Sequence, residues 1–224
     1  MKIYAEIYPS RNLESLKGMI EHMDMFDGFN IPDNPLGYPT MPPELIGYII
    51  RRQFPEKDII INQRLKDINE LKLRSIITAA KAIKASIIFT QGDKPRYGKE
   101  LNDLDSVYAM NLARHRGVES GLILSFRKSL KDINGRLELN ANLFLVINFD
   151  DLSILESMNT ERLIPYIIVK TQKNGNILEK INQSSVRAED LHLYMKKFKK
   201  YRLTGTLFSV PGDNETLLNI RDYF

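Results

Sequence analysis

The chain has 224 residues, of which 43% are hydrophobic and 27% are charged, and its formal net charge is +4. This balance predicts a single domain over residues 1–224 that buries an apolar core. The sequence contains no cysteine, which excludes disulfides, thiolate metal sites and a cysteine nucleophile. No apolar run approaches the roughly 20 residues that span a bilayer, and the chain begins on a strand-like segment instead of a leader. We therefore expect a cytoplasmic protein that contacts no membrane.

Basic and acidic residues are interleaved along the chain, except in the run Lys196-Lys197-Phe198-Lys199-Lys200. Apolar residues around this run recur at helical spacing, so it predicts a solvated helix end near the negative pole of the helix dipole. Nucleic-acid binding is not expected, because base-stacking aromatics and a recognised module are both missing. Anionic small molecules are the partners that the positive net charge favours.

Eight short apolar runs have the length of strands, and helical periodicity fills most of the gaps between them. The runs are 2–7, 26–31, 58–62, 86–90, 121–125, 143–148, 164–169 and 204–209. Strands that alternate with helices to the end of the chain predict an α/β protein, a compact closed (β/α)8 TIM barrel. A doubly wound open sheet is the alternative, which is disfavoured because no glycine-rich dinucleotide fingerprint follows the first run.

The fifth strand-helix unit is the weak one. It carries a turn signal at Asn134-Gly135 and no full amphipathic helix, so the helix after strand five is expected to be shortened or missing. Carboxylates mark the expected starts of other helices. Asp67 can cap the third helix, and Asp103 or Asp105 can cap the fourth.

In a barrel of this kind the reactive groups come from the carboxyl ends of the strands. Glu6 lies in a strand that is otherwise apolar, where desolvation would raise the pKa of its carboxyl toward the range of a general acid. Asp93 follows the apolar strand 86–90 directly after Gly92. The alternatives are a salt bridge from Glu6 to a Lys or Arg inside the barrel, and a turn-capping role for Asp93.

No metal site is expected from the sequence. The three histidines, His22, His115 and His192, fall in helical segments away from the strand ends. The scattered carboxylates lack the spacing of a metal-binding loop.

Four segments at successive strand ends resemble motifs of the methylenetetrahydrofolate reductases, which are flavin-dependent (β/α)8 barrels. Residues 6–11, Glu-Ile-Tyr-Pro-Ser-Arg, are similar to the opening Glu-x-x-Pro-Pro-Arg/Lys of that family. Residues 29–34 are similar to its Asn-Val-Thr-Asp-Asn segment, and residues 63–69 to its Met-Thr-Cys-Arg-Asp-x-Asn segment. Residues 91–95, Gln-Gly-Asp-Lys-Pro, are similar to its Arg/Thr-Gly-Asp-x-Pro motif.

The resemblance implies a methylene-pterin substrate from one-carbon metabolism, an FAD cofactor, and a reduced nicotinamide or another electron donor. It implies that Glu6 is the general acid that protonates the pterin nitrogen, and that Asp93 lies beside the flavin and the substrate. The residues that it assigns to cofactor binding are Asn30, Asn62, Gln63, Gln91, Gly92, Ser125, Phe126 and Arg127.

A second hypothesis follows from the sixth strand, where Leu145-Val146-Ile147 stands in place of the family's Gln-Thr-Gln. In the family, a glutamine of that motif helps to hold the pterin. The alternative is therefore a divergent barrel that lacks flavin and either binds a pterin or serves as a partner subunit. Both hypotheses leave the oligomeric state open, including a homo-oligomer.

Overall fold

The computed structural model describes residues 1–9, 12–149, 152–181 and 183–224. Within these residues the chain forms nine parallel strands. They are β1 (Lys2–Glu6), β2 (Gly28–Pro32), β3 (Asp58–Arg64), β4 (Ser86–Thr90), β5 (Ser120–Ser125), β6 (Leu143–Ile147), β7 (Leu163–Lys170), β8 (Ser185–Arg187) and β9 (Gly205–Ser209).

Eight of these strands close into a barrel. Each strand from β1 to β6 pairs with the next, β6 pairs with β7, β7 pairs with β9, and β9 pairs with β1. The pairing of β6 with β7 closes the ring, which excludes the open sheet and confirms the (β/α)8 prediction. The remaining strand, β8, was not predicted; it is three residues long and pairs with the carboxyl end of β7.

Eight α-helices lie between or after the strands in the described part of the chain, and a 3-10 helix, Ser153–Ser157, lies between β6 and β7. The α-helices are α1 (Leu13–Glu21), α2 (Pro43–Gln53), α3 (Glu70–Ala82), α4 (Ser106–His115), α5 (Leu130–Leu137), α6 (Gly175–Leu178), α7 (Leu191–Phe198) and α8 (Asn214–Leu218). None of the described helices is both long enough and apolar enough to cross a membrane. The lysine run follows the expected pattern at the end of α7, where Phe198 is buried and its flanking lysines are exposed.

The structure confirms one of the predicted helix caps and shows that another is wrong. Asp105 caps α4, because its Oδ1 accepts hydrogen bonds from the backbone N–H groups of the second and third helical residues, both at 2.8 Å. The prediction for Asp67 is wrong. Asn69 caps α3 by accepting from the backbone N–H of Lys72 at 3.0 Å, and Asp67 instead pairs with Arg64.

The helix after strand five is shortened, as predicted, but the turn at Asn134-Gly135 is not formed. Both residues lie inside the eight-residue helix α5. Ser129 caps this helix by accepting from the backbone N–H of Asp132 at 3.2 Å, and Ile133 is buried beneath it. The cap and this apolar anchor override the local preference for a turn.

Alternate residues of each strand point into the barrel, and a separate apolar cluster fills its lower part. The buried members of this cluster are Tyr4, Ile60, Ile88, Leu143, Leu145, Ile164 and Leu207. The ring of Tyr4 lies between Gly28 and Gly205 of the neighbouring strands. A Cβ at Gly28 would lie 2.8 Å from that ring, so the absence of a side chain there makes room for the tyrosine.

Candidate functional site

A cavity of about 380 Å³ opens above the apolar cluster, at the carboxyl ends of the barrel strands. Its walls come from strands around the barrel and from the loops that follow them. The lining residues that carry polar side chains are Glu6, Tyr8, Asp33, Asn62, Arg64, Thr90, Gln91, Asp93, Tyr166 and Gln183. Ile123 and Ile147 supply an apolar wall. The volume lies toward the lower end of the roughly 300–1,000 Å³ typical of small-molecule sites.

Glu6 is the buried acid of this cavity, with 4% of its surface exposed. The hydroxyl of Tyr166 lies 3.0 Å from Oε1 and 2.9 Å from Oε2 of Glu6. Ser209 Oγ donates to Oε2, and Asn30 Nδ2 donates to Oε1 at 3.3 Å. Among the described residues no lysine or arginine pairs with Glu6, so the carboxyl is held by neutral donors and not by a salt bridge.

Burial raises the pKa of Glu6 from its usual 4.5 to about 7. The hydrogen bonds from Ser209, Tyr166 and Asn30 act in the opposite direction, because they stabilise the carboxylate. With burial and hydrogen bonding opposed in this way, Glu6 can hold a proton near pH 7. When the proton leaves, the three donors are already in place to stabilise the carboxylate. These are the properties of a general acid or base.

Two buried amide oxygens, one on β2 and one on β3, have no hydrogen-bond partner among the described residues. They are Asn30 Oδ1 and Asn62 Oδ1. Asn62 lines the cavity. A buried acceptor without a donor is costly, and an N–H group of a bound ligand would satisfy the amide oxygen of Asn62.

A second acid of the cavity, Asp33, lies at the end of β2. Burial raises the pKa of its carboxyl from 3.8 to about 6, and the positive charge of Arg64 moderates this rise. Gln63 Nε2 donates to Oδ2 at 2.6 Å, and Asn34 Nδ2 donates to Oδ1 at 2.7 Å. The cavity therefore holds two carboxyl groups that titrate above their ordinary range.

Arg64 ties together the loops that follow β2, β3 and β4. Its Nε donates to Asp67 at 2.7 Å, Nη1 donates to the carbonyl of Asn34 at 3.0 Å, and Nη2 donates to the carbonyl of Asp93 at 2.8 Å. Gly92 has φ +77°, and a Cβ there would lie 2.9 Å from Cγ of Arg64. Glycine at this position permits both the backbone turn and the close approach of the arginine.

The structure places Glu6 and Asp93 on the same cavity, but in different surroundings. The side chain of Asp93 is exposed at the rim, and its carboxylate makes no hydrogen bond or ion pair with the described residues. Its backbone carbonyl is held by Arg64. Residues Ser10 and Arg11 of the first motif lie outside the described residues.

The residues assigned to cofactor binding by resemblance divide among several environments. Asn62, Gln91 and Gly92 line the cavity, whereas Asn30 lies beside Glu6. Ser125 lines a neighbouring cavity, which lies between the ends of β4 and β5 and helix α5.

Three further residues of that set line neither cavity. Gln63 faces away from the barrel axis, because side chains alternate along β3 and its neighbours Asn62 and Arg64 point inward. Phe126 packs edge-on against Phe149, with 5.8 Å between the ring centroids. Arg127 is exposed and donates to Ser184 Oγ at 3.3 Å.

Tyr166 and Ser209, which hold Glu6, were not predicted from the sequence. The signal that identified Glu6 is also present at these positions, because each is a polar residue at an inward position of an apolar strand. Ile164, Tyr166 and Ile168 alternate along β7, and Leu207 and Ser209 alternate along β9. The register of β1, β7 and β9 in the closed barrel is needed to show that these side chains contact Glu6.

No family model matches the sequence, and no curated protein matches it either. The structure is similar to that of an uncharacterized protein from Clostridium thermocellum that binds two copies of 5-methyl-5,6,7,8-tetrahydrofolic acid, with a TM-score of 0.66 and 12% identity over 98% of this chain and 93% of that chain. It is also similar to a mutant tryptophan synthase alpha-subunit from Pyrococcus furiosus, with a TM-score of 0.64 and 9% identity over 99% and 97% of the two chains. A phosphoribosylanthranilate isomerase from Thermotoga maritima has a TM-score of 0.57 and 13% identity, over 99% and 98%. At these identities the likeness establishes the fold: the chain is a (β/α)8 TIM barrel.

Proposed function

We propose that the barrel binds a reduced pterin and that Glu6 exchanges a proton with the bound ring. The observation that carries this proposal is the buried Glu6 carboxyl, whose pKa of about 7 lies in the working range of a general acid. The Clostridium thermocellum neighbour, which binds a methyl-tetrahydrofolate, supports a pterin as the ligand. The motif resemblance to methylenetetrahydrofolate reductases points to the same ligand class.

The cavity suits a flat heterocycle with N–H groups at its edge. The unpartnered Oδ1 of Asn62 would accept from one N–H group of the pterin, and the Asp33 carboxyl offers a second polar contact. Ile123 and Ile147 line the cavity with apolar surface, against which the face of the ring would pack. Ile147 thus replaces the glutamine contact of the reductase family with an apolar one.

Proton transfer in this site moves one proton between an Oε atom of Glu6 and a ring nitrogen. When Glu6 donates, the nitrogen gains the proton and Glu6 becomes a carboxylate. Tyr166, Ser209 and Asn30 already point donors at that carboxylate. No donor has to rotate into place as the charge forms, which is the arrangement that lowers the cost of charge separation in a buried site.

Titration calorimetry with 5-methyl-tetrahydrofolate tests the proposal. We expect the wild-type protein to bind, Asn62→Ala to bind at least tenfold more weakly because the ring loses a buried hydrogen bond, and Asn140→Ala to bind like the wild type. Asn140 is a matched control, since it is exposed on the loop before β6, at the opposite end of the barrel. Absence of binding, or equal losses for the two variants, would refute the proposal.

A second candidate function is reduction of a methylene-pterin through FAD. The observation that favours it is the neighbouring cavity between the ends of β4 and β5 and helix α5, which shares Thr90, Gln91 and Ile123 with the central one and offers additional space for a flavin. A bound flavin would supply the hydride chemistry. An absorbance spectrum after addition of FAD and desalting tests this candidate: retained flavin supports the reductase, and a colourless protein supports the barrel without flavin.

A further inference from the structure

Helix α3 presents an outer surface that is left uncovered within the described part of the chain. Leu71, Ser75, Thr78 and Ala82 follow one another at helical spacing, so they lie along one side of α3. All four are exposed, and the residues that α3 buries lie on its opposite side. Leu71 is 75% exposed, more than any other large apolar side chain among the described residues.

The hydroxyl groups on this side of α3 are satisfied by the helix itself. Ser75 Oγ donates to the carbonyl of Leu71 at 3.1 Å, and Thr78 Oγ1 donates to the carbonyl of Arg74 at 2.9 Å. Each hydroxyl therefore directs its proton to the helix backbone and needs no further acceptor. A partner that packs here leaves no hydroxyl proton of this stripe without an acceptor.

Exposed tyrosines extend this surface onto the helices on either side. Tyr48 of α2 is 53% exposed and Tyr108 of α4 is 41% exposed. Both helices contact α3, because Lys72 pairs with Glu44 of α2 at 4.0 Å and Glu70 interacts with Tyr108 of α4. The α3 face, as we call this surface, consists of Leu71, Ser75, Thr78, Ala82, Tyr48 and Tyr108. Exposed apolar surface that spans neighbouring elements is typical of protein interaction sites.

The charged residues that border the α3 face are arranged asymmetrically. Glu70 and Lys81 lie along the border beside α4, one near each end of α3. Glu70 pairs with Arg74 one turn away, whereas Lys81 donates to the carbonyl of Arg116 at 2.8 Å and pairs with no carboxylate among the described residues. Lys72 lies along the other border, beside α2. One border therefore carries opposite charges at its two ends.

We propose that the α3 face joins two copies of this chain in a two-fold symmetric dimer, with the two α3 helices packed antiparallel. In such a dimer each border meets the same border of the other copy in the reverse direction. With the two-fold axis between Ser75 and Thr78, Glu70 of one copy and Lys81 of the other are offset by two residues along the helices. That offset is about 3 Å, so the two side chains can pair, and the symmetry forms this pair twice.

The same packing avoids a contact between like charges. Lys72 lies on the opposite border from Lys81, so in the dimer it faces the uncharged Ala79 of the other copy. The antiparallel direction also places the amino end of each α3 near the carboxyl end of the other, where the helix dipoles attract. A second copy is the partner that fits, because the α3 face supplies both halves of each charge pair. The inference does not depend on the ligand of the central cavity.

The first test is the mass of the protein in solution, measured by size-exclusion chromatography with light scattering. We expect the wild type to have twice the monomer mass. Leu71→Glu should weaken the dimer at least hundredfold, because the dimer would bury two carboxylates in an apolar contact. Leu193→Glu is the matched control and should remain a dimer, since Leu193 is 49% exposed on α7, on the opposite side of the barrel. Both leucines are exposed in the monomer, so both variants should keep the wild-type circular dichroism spectrum.

The second test addresses the antiparallel register by sedimentation velocity at low salt. Glu70→Lys and Lys81→Glu should each weaken the dimer about tenfold, because like charges then face each other at two contacts. An equimolar mixture of the two variants should regain the wild-type affinity. In the mixed dimer Lys at position 70 faces Glu at position 81, and the native Glu70 faces the native Lys81.

Three results would overturn the inference. A wild type that is monomeric at its highest soluble concentration has no such interface. Equal behaviour of Leu71→Glu and Leu193→Glu in a dimeric protein would place the interface elsewhere on the barrel. A mixture of Glu70→Lys and Lys81→Glu that associates no better than either variant alone would contradict the antiparallel two-fold packing.

Discussion

Replacing the buried acid with its neutral isostere should stabilise the fold at neutral pH. In Glu6→Gln, the amide has nearly the shape of the protonated carboxyl and keeps one donor and one acceptor. Below pH 4.5 the wild-type Glu6 is neutral in both the folded and the unfolded chain, so we expect the two proteins to be nearly equal in stability. The difference should develop at higher pH.

The size of the effect follows from the pKa of Glu6, which rises from 4.5 to about 7 on folding. Between these values the folded chain binds more protons than the unfolded chain, so the wild-type free energy of unfolding falls as pH rises. Above pH 7 the loss is complete and amounts to about 3 kcal/mol. Glu6→Gln does not titrate, so it should be more stable than the wild type by about 3 kcal/mol above pH 7.

Urea unfolding followed by far-ultraviolet circular dichroism at pH 4.5, 6, 7.5 and 9 measures this difference. Contributions of Asp33 and other groups are common to both proteins and cancel in the comparison. Glu138→Gln, at an exposed position after α5, is the control and should show a difference that does not change with pH. A Glu6→Gln difference that stays flat across pH, or a variant that is less stable at pH 9, would refute the assignment of Glu6 as an acid that is neutral in the fold.

Two further substitutions probe the same site. Tyr166→Phe removes the hydroxyl that lies within 3.0 Å of both carboxyl oxygens of Glu6, so it should raise the pKa of Glu6 further. The pH range over which the free energy of unfolding falls should then extend to higher pH. An unchanged pH range would contradict the contact. Gly92→Ala should destabilise the protein by about 1–3 kcal/mol and more than Gly98→Ala, as measured by urea unfolding. Both glycines have positive φ, but only at Gly92 would an added Cβ contact Arg64; at Gly98 nothing among the described residues lies within 4 Å of an added Cβ. Equal losses of stability would show that the packing against Arg64 is unimportant.

The barrel could be predicted from the sequence because its signals are local. Each strand is a short apolar run, and Asp105 is a cap whose partners lie two and three residues away. The errors arise where contacts distant in sequence decide. Asp67 has the composition of a cap, but the buried guanidinium of Arg64 takes its carboxylate, and Asn69 caps the helix instead.

The candidate site was predictable only in part for a related reason. Glu6 stands out because a carboxylate in an apolar strand is unusual. Tyr166 and Ser209 are also polar residues at inward strand positions, but their contact with Glu6 depends on the register that brings them to it from 160 and 203 residues away.

Titration of the Glu6 carboxyl by carbon-13 NMR, with and without 5-methyl-tetrahydrofolate, measures whether this acid exchanges a proton with a bound pterin. We predict a midpoint near pH 7 in the free protein and a displaced midpoint when the ligand is bound, because the ring then shares the proton with Glu6. A midpoint near pH 4.5 in the free protein, or a midpoint near 7 that the ligand leaves unchanged, would contradict it.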